Sequence, residues 1–155
     1  MVRVVVGGTF DFFHKGHKEL LDKAIEIGDV IEVGITSDDM AEKHRGYPVR
    51  SFKERKRLVE GYLKDKDVEY HIVMIQDPCG KNEEFGSAAE ENYDVIVVSP
   101  ETRSMAEKIN KVRKNNGLEP MDVVTIPCIL AEDKKPISSK RIRRGDIDEE
   151  GKVKG

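Results

Sequence analysis

Five short apolar runs rich in Val and Ile punctuate this chain, at 2–6, 30–35, 68–75, 94–98 and 121–128. They are too continuous for strands with one wet face and read as strands buried on both faces, the third less cleanly than the rest. Helix-patterned stretches separate them. Leu20, Leu21, Ala24, Ile25 and Ile27 share one face, and Gly28 ends that segment. Ser51 with Glu54 three residues on is a capping box, opening a helix to about Lys64 that turns Phe52, Leu58, Val59 and Leu63 inward. Asp77-Pro78-Cys79-Gly80 reads as a turn, with a weaker helix near 83–91. A firmer helix covers 102–116, and a short one starts at Ser138 or Ser139. Residues 38–47 are polar and read as a loop with at most one helical turn. Apolar strands joined by right-handed helical crossovers specify an α/β, Rossmann-like, doubly wound five-stranded parallel sheet.

The chain has 155 residues, enough for one domain. That domain is expected over 1–145, with 146–155 as a mobile tail because it is charged and contains glycine. No run approaches ~18 uncharged apolar residues, so no membrane span is expected; the start of the chain reads straight into the first strand, so no signal peptide is expected either. Two cysteines, Cys79 and Cys128, make neither a disulfide framework nor a zinc site. The reading is a cytoplasmic protein, with a monomer favoured.

Charge is distributed unevenly. The net charge is −3, yet seven basic residues fall between Lys43 and Arg57, and six between Lys134 and Arg144. Two basic segments on an acidic chain point to local anion binding and away from a nucleic-acid coat.

In a doubly wound sheet the ligand lies beyond the carboxyl ends of the strands. Two segments placed there carry the chemistry. Gly7-Gly8-Thr9-Phe10-Asp11-Phe12-Phe13-His14-Lys15-Gly16-His17 joins the first strand to the first helix. Its paired glycines admit a bulky anion, and Gly16 is expected to offer free N–H groups at the helix start. His14 and His17, three apart, share a face and can donate to phosphate oxygens. Phe10, Phe12 and Phe13 read as packing, and Asp11 as a residue that caps or holds the loop. The second segment, Ile137-Ser138-Ser139-Lys140-Arg141-Ile142-Arg143, pairs two hydroxyls with cations, as a phosphate clamp requires.

HKGH at 14–17 and ISSKRIR at 137–143 resemble the two signatures of the nucleotidylyltransferase superfamily, with Lys140 where Thr is common. The DPCG turn and VVSPET at 97–102 are similar to the archaeal phosphopantetheine adenylyltransferases and the related domain of eukaryotic CoA synthase. The resemblance implies reversible transfer of the adenylyl group of ATP to 4′-phosphopantetheine, giving dephospho-CoA and pyrophosphate in coenzyme A biosynthesis. It implies catalytic roles for His17, Lys43 and Thr9, with Arg45 as a rival to Lys43. It implies an ATP site of Gly8, Thr9, Phe10, His14, Gly16, His17, Glu101, Thr102, Ser138, Ser139 and Arg143. Thr9 and Lys43 would meet the acceptor phosphate. Mg²⁺ would arrive with ATP, with no dedicated protein ligands. Bacterial relatives carry an Arg-Gly-Leu-Arg stretch after the fourth strand, where this chain has Ser-Pro-Glu-Thr-Arg, so contacts from there do not transfer.

Two other readings stay open at this level. One is a different small nucleotidylyltransferase, such as a FAD synthetase, an NMN adenylyltransferase or a glycerol-phosphate cytidylyltransferase. The other is a non-enzymatic nucleotide or RNA binding module, for which the basic run at 43–57 is the best support.

Overall fold

The structure, a computed structural model, describes residues 1–76 and 92–154, excluding the side chain of His44. The turn at 77–80, the weaker helix near 83–91 and Cys79 lie outside the described residues.

Five strands form one sheet: β1 (Arg3–Gly8), β2 (Val30–Thr36), β3 (Glu69–Ile75), β4 (Val95–Val98) and β5 (Asp122–Thr125). Their order is β3-β2-β1-β4-β5, and every pairing is parallel. The chain starts at the centre, builds outward to β3, then crosses to β4 on the other side. The doubly wound α/β sheet is therefore as the apolar runs require. Val4, Val6, Ile31, Val33 and Ile35 are fully buried, joined on one face by Leu21 and Ala24 of helix α1 (Lys15–Ile27) and by Val59 and Leu63 of α3 (Phe52–Leu63). On the opposite face Val5, Ile96 and Val98 pack with Ala106 and Ile109 of α4 (Arg103–Asn115). β5 is shorter than its apolar run, ending before Ile126 and Pro127.

Residues 38–45 are helical where the sequence reading expected a loop: α2 runs Asp38–Arg45. The Ser37 hydroxyl caps it, Asp38 and Asp39 complement its dipole, and Gly46 ends it in the left-handed conformation. Among the described side chains of this helix only Met40 and Ala41 are buried, too short an apolar stripe to show in the pattern. In α3 the Ser51 cap forms as expected, but the inward stripe is Arg55, Val59 and Leu63, with Leu58 exposed. The spacing of 55, 59 and 63 is the helical repeat, and Leu58 falls off that line.

The segment after Arg144 departs from the expected mobile tail. Gly145 closes the short helix α5 (Ser139–Arg144), and the chain folds back. Ile147 is fully buried with Ala131, Ile137 and Ile142, and it bridges Val153. Gly151, with φ 86°, makes the return turn, and a Cβ there would lie 2.8 Å from the Ile137 Cδ1. The Glu149 carbonyl accepts from the Lys15 N–H at 2.9 Å, tying this segment to α1. One buried Ile among charges suffices to anchor it. Replacing Ile147 with Ala is expected to destabilise the fold by about 2–4 kcal/mol in urea unfolding, the usual cost of truncating a buried Ile. A change under about 0.5 kcal/mol would mean that the segment is loose in solution.

Candidate active site

The order of the strands reverses between β1 and β4, and a cleft opens at their carboxyl ends. Its volume is about 180 Å³, and its walls include Gly8, Thr9, Phe10, His14, Gly16 and His17 from the first signature. Glu101 and Thr102 line it after β4, and Ser138 and Ser139 line it from the second signature. A second cleft of about 570 Å³ runs from the same place along the sheet face that carries α4. Its floor is largely apolar, with Val5, Ile75, Ile96, Val98 and Ile109. The two clefts meet at Gly7, Gly8, Thr9, Arg45, Glu101 and Thr102.

The two histidines form a reciprocal cap on α1. His14 Nδ1 accepts from the Gly16 N–H at 3.0 Å and the His17 N–H at 3.4 Å, while His17 Nδ1 accepts from the His14 N–H at 3.1 Å. The rings stack with centroids 3.7 Å apart. With Nδ1 accepting in both, the hydrogen-bond network assigns the ring proton to Nε2 in both. Each neutral imidazole thus keeps one donor for a ligand. This corrects the expected role of Gly16. The N–H groups of the first turn are already taken, by His14 and by the Glu149 carbonyl, so the imidazoles are the donors instead. Gly16 supplies space: a Cβ there would lie 2.9 Å from the His14 Cε1, within the ring's own volume.

Burial, followed by the Arg45 charge, lowers the His14 pKa to about 4. For His17, burial, then His14, then Arg45 hold it well below 6.5. Both are therefore neutral at pH 7 in the free protein. The unfolded chain takes up protons below pH 6.5 that the folded chain refuses, so stability is full above that pH and falls as pH drops toward about 4. His14 alone accounts for at most about 3 kcal/mol of that fall. Urea midpoints between pH 7 and 5 should fall in the parent and fall less in His14→Asn. Equal slopes would show that the imidazole titrates freely.

The remaining site residues divide. Thr9 is buried and its hydroxyl accepts from the Thr36 hydroxyl at 3.1 Å. Ser139, also buried, donates to the Asp11 carbonyl at 2.6 Å, joining positions 128 residues apart. Ser138 caps α5 by accepting from the Arg141 N–H. Arg143 is exposed beyond the lining of both clefts. Its guanidinium lies 4.3 Å from the Tyr47 ring centroid and donates to the Pro48 carbonyl at 2.8 Å. Lys43 is exposed on α2 and lines neither cleft, whereas Arg45 lines both. Residues two positions apart on a helix are separated by ~200° around its axis, so these two cations face nearly opposite ways. Among the described residues no cluster of His, Cys, Asp and Glu is arranged to hold a metal, and no helix is long and apolar enough to cross a membrane.

The sequence reading missed Arg55, which lies fully buried behind Thr9 and Thr36. Its i, i+4, i+8 register with Val59 and Leu63 was the available signal, hidden by the basic run around it.

Comparison with known proteins agrees with this geometry. The profile of the cytidylyltransferase-like family matches residues 5–145. The chain is 43% identical to the phosphopantetheine adenylyltransferase of Methanothermobacter thermautotrophicus, across 97% of this chain and 88% of that one. It is 42% identical to the phosphopantetheine adenylyltransferase of Methanosarcina acetivorans, across 99% of this chain and 97% of that one. The crystal structure of a protein of unknown function from Archaeoglobus fulgidus superposes with a TM-score of 0.71 at 37% identity, over 81% of this chain and 89% of that one. Paired imidazoles at a strand–helix junction, on a 3-2-1-4-5 parallel sheet, thus come with sequence kinship over nearly the whole chain, which belongs to the cytidylyltransferase-like family beside the archaeal phosphopantetheine adenylyltransferases.

Proposed function

We propose that this chain is a phosphopantetheine adenylyltransferase that transfers the adenylyl group of ATP to 4′-phosphopantetheine and releases pyrophosphate. The observation that carries the site reading is the pair of adjoining clefts. One holds two imidazole donors with Ser138 and Ser139, the other has an apolar floor, and they share Thr9 and Arg45. A two-substrate transfer needs such a junction, with the triphosphate on the polar side and the arm of the acceptor on the apolar side.

The chemistry asks little of the protein beyond alignment and charge. An oxygen of the acceptor phosphate attacks the α-phosphorus in line, the new P–O bond forms as the bond to the β-phosphate oxygen breaks, and pyrophosphate leaves. A phosphate monoester is already ionised, so no general base and no covalent enzyme intermediate are required. The obstacle is repulsion between two polyanions, and fixed donors offset it. His17 Nε2–H donates to the α-phosphate oxygen on which charge grows, and His14 Nε2–H to the neighbouring phosphate. The Thr9 hydroxyl orients donor and acceptor at the junction. Arg45 takes the bridging role that the sequence reading gave first to Lys43, because of these two cations it is Arg45 that lines both clefts. Ser138 and Arg143 grip the β- and γ-phosphates, with Arg143 reaching from its seat on Tyr47, while Ser139, whose hydroxyl hydrogen is spent on the Asp11 carbonyl, holds the two signature segments together. Glu101 and Thr102 line the nucleotide side. Mg²⁺ enters as part of the substrate, held by phosphate oxygens and water.

The test is pyrophosphate release with ATP or CTP and each of 4′-phosphopantetheine, FMN, NMN and glycerol phosphate. Turnover is expected with ATP and 4′-phosphopantetheine alone. Product from only one of the other acceptors would reassign the substrate. RNA affinity tighter than ~micromolar at physiological salt, with no turnover, would favour a binding module.

A further inference from the structure

We infer that Arg55, which touches no substrate, is a positioning residue for the transfer step: it holds the Thr9–Phe10 peptide so that the Phe10 N–H faces the reacting phosphates. The inference rests on the adenylyl-transfer reading of this site.

Arg55 is fully buried on α3, an expensive place for a cation unless its donors are taken. They are. Nε donates to the Arg50 carbonyl at 2.7 Å, and Nη1 to the carbonyls of Thr9 at 2.9 Å and Thr36 at 2.8 Å. Nη2 meets the Asp38 carboxylate at 2.7 Å. One planar fork therefore ties the ends of β1 and β2 to the start of α2. A lysine, with three donors around a single point, cannot reproduce that spread.

The geometry has a consequence on the far side of the peptide. Among the described residues there is no cis peptide bond, so the Phe10 N–H points opposite to the Thr9 carbonyl, away from Arg55. Phe10 lines the smaller cleft, and among the described residues no hydrogen bond occupies its N–H. Phe10 also sits at φ 56°, in the left-handed region a bulky side chain seldom adopts. Its side chain is fully buried, and Arg55 secures the preceding carbonyl, so the strained turn is fixed on both sides. The same fork holds Asp38, the first residue of the helix that ends in Arg45. Loss of the fork would free both the peptide and the helix, while the imidazole cap of α1 stays in place.

The test is Arg55→Lys, which keeps the charge and removes the fork. In the folded variant kcat for adenylyl transfer is expected to fall about 10–100-fold, the scale of a misaligned reacting group, with KM for ATP moving less than about threefold. A second readout is independent of turnover. On addition of MgATP to ¹⁵N-labelled protein, the shift of the Phe10 amide should shrink at least about threefold in the variant, while that of the His17 amide persists. Asp38→Ala, which removes the half-exposed side chain that anchors Nη2 of the fork, should shrink the Phe10 response with little change in melting temperature; it decides the matter if Arg55→Lys does not fold. A parent-like kcat with an undiminished Phe10 response in the folded variants would reduce Arg55 to a structural strut. If the parent itself transfers no adenylyl group, the substrate assignment fails, and the amide shifts still decide what Arg55 does.

Discussion

Replacing His17 with Ala should lower kcat by at least about 100-fold while the chain stays folded. The expectation comes from how the ring is held. Its Nδ1 is committed to the His14 N–H, which leaves Nε2–H as the one polar group it offers to a ligand. Neighbouring Phe10 and Phe13 rings lie 5.0 and 6.0 Å from it, centroid to centroid, and fix its plane. A donor so fixed needs no reorganisation as charge builds on the α-phosphate, and loss of one such donor elsewhere costs ~100–1000-fold. Because the contact strengthens in the transition state, kcat and kcat/KM should fall together. His17→Asn is the matching control. Its amide oxygen can still accept from the His14 N–H and keep the cap, so its melting temperature should stay close to the parent's while its rate falls. A near-parental rate in either variant would remove His17 from the chemistry.

The second large effect is expected at Arg45. Arg45→Met should lower kcat/KM by about 100-fold, and Lys43→Met by less than about threefold. Both are exposed cations on α2, so bulk charge does not separate them; facing does. The Arg45 charge also helps to depress His14 and His17, so removing it should move the His14 titration upward from about 4 toward 6.5 in NMR. The opposite ranking, with Lys43→Met the damaging change, would restore the bridge to the residue that spacing alone selects.

The strands were legible because their residues answer to one environment. Val4 to Val6, Ile31, Val33, Ile35 and Val95 to Val98 are buried in the sheet, and apolar runs say so. The HKGH pair was legible as well, because two imidazoles at a strand–helix junction have few other uses. What escaped depends on tertiary partners. Among its described side chains α2 buries only Met40 and Ala41, so its caps at Ser37 and Gly46 were its best signal. Arg55 looks like its solvated neighbours until α3 is docked and the carbonyls of Thr9 and Thr36 arrive beneath it. The direction of hydrogen bonding at His14 was equally hidden: sequence places a donor-rich helix start there, and only the folded turn shows the imidazole consuming those donors. Ile147 shows the same limit from the other side, since one apolar residue in a charged stretch becomes an anchor only when Ile137 and Ile142 are beside it.

Both signatures acting on one triphosphate is the claim from which the other site assignments follow. The Ser139–Asp11 hydrogen bond already brings the two segments together at the cleft. The direct measurement is a crystal structure with Mg²⁺ and a non-hydrolysable ATP analogue. A common grip requires the His17 Nε2 within about 3 Å of an α-phosphate oxygen, and Ser138 or Arg143 within the same reach of the β- or γ-phosphate. A triphosphate held by only one of the two segments, or seated away from the carboxyl ends of β1 and β4, would contradict it.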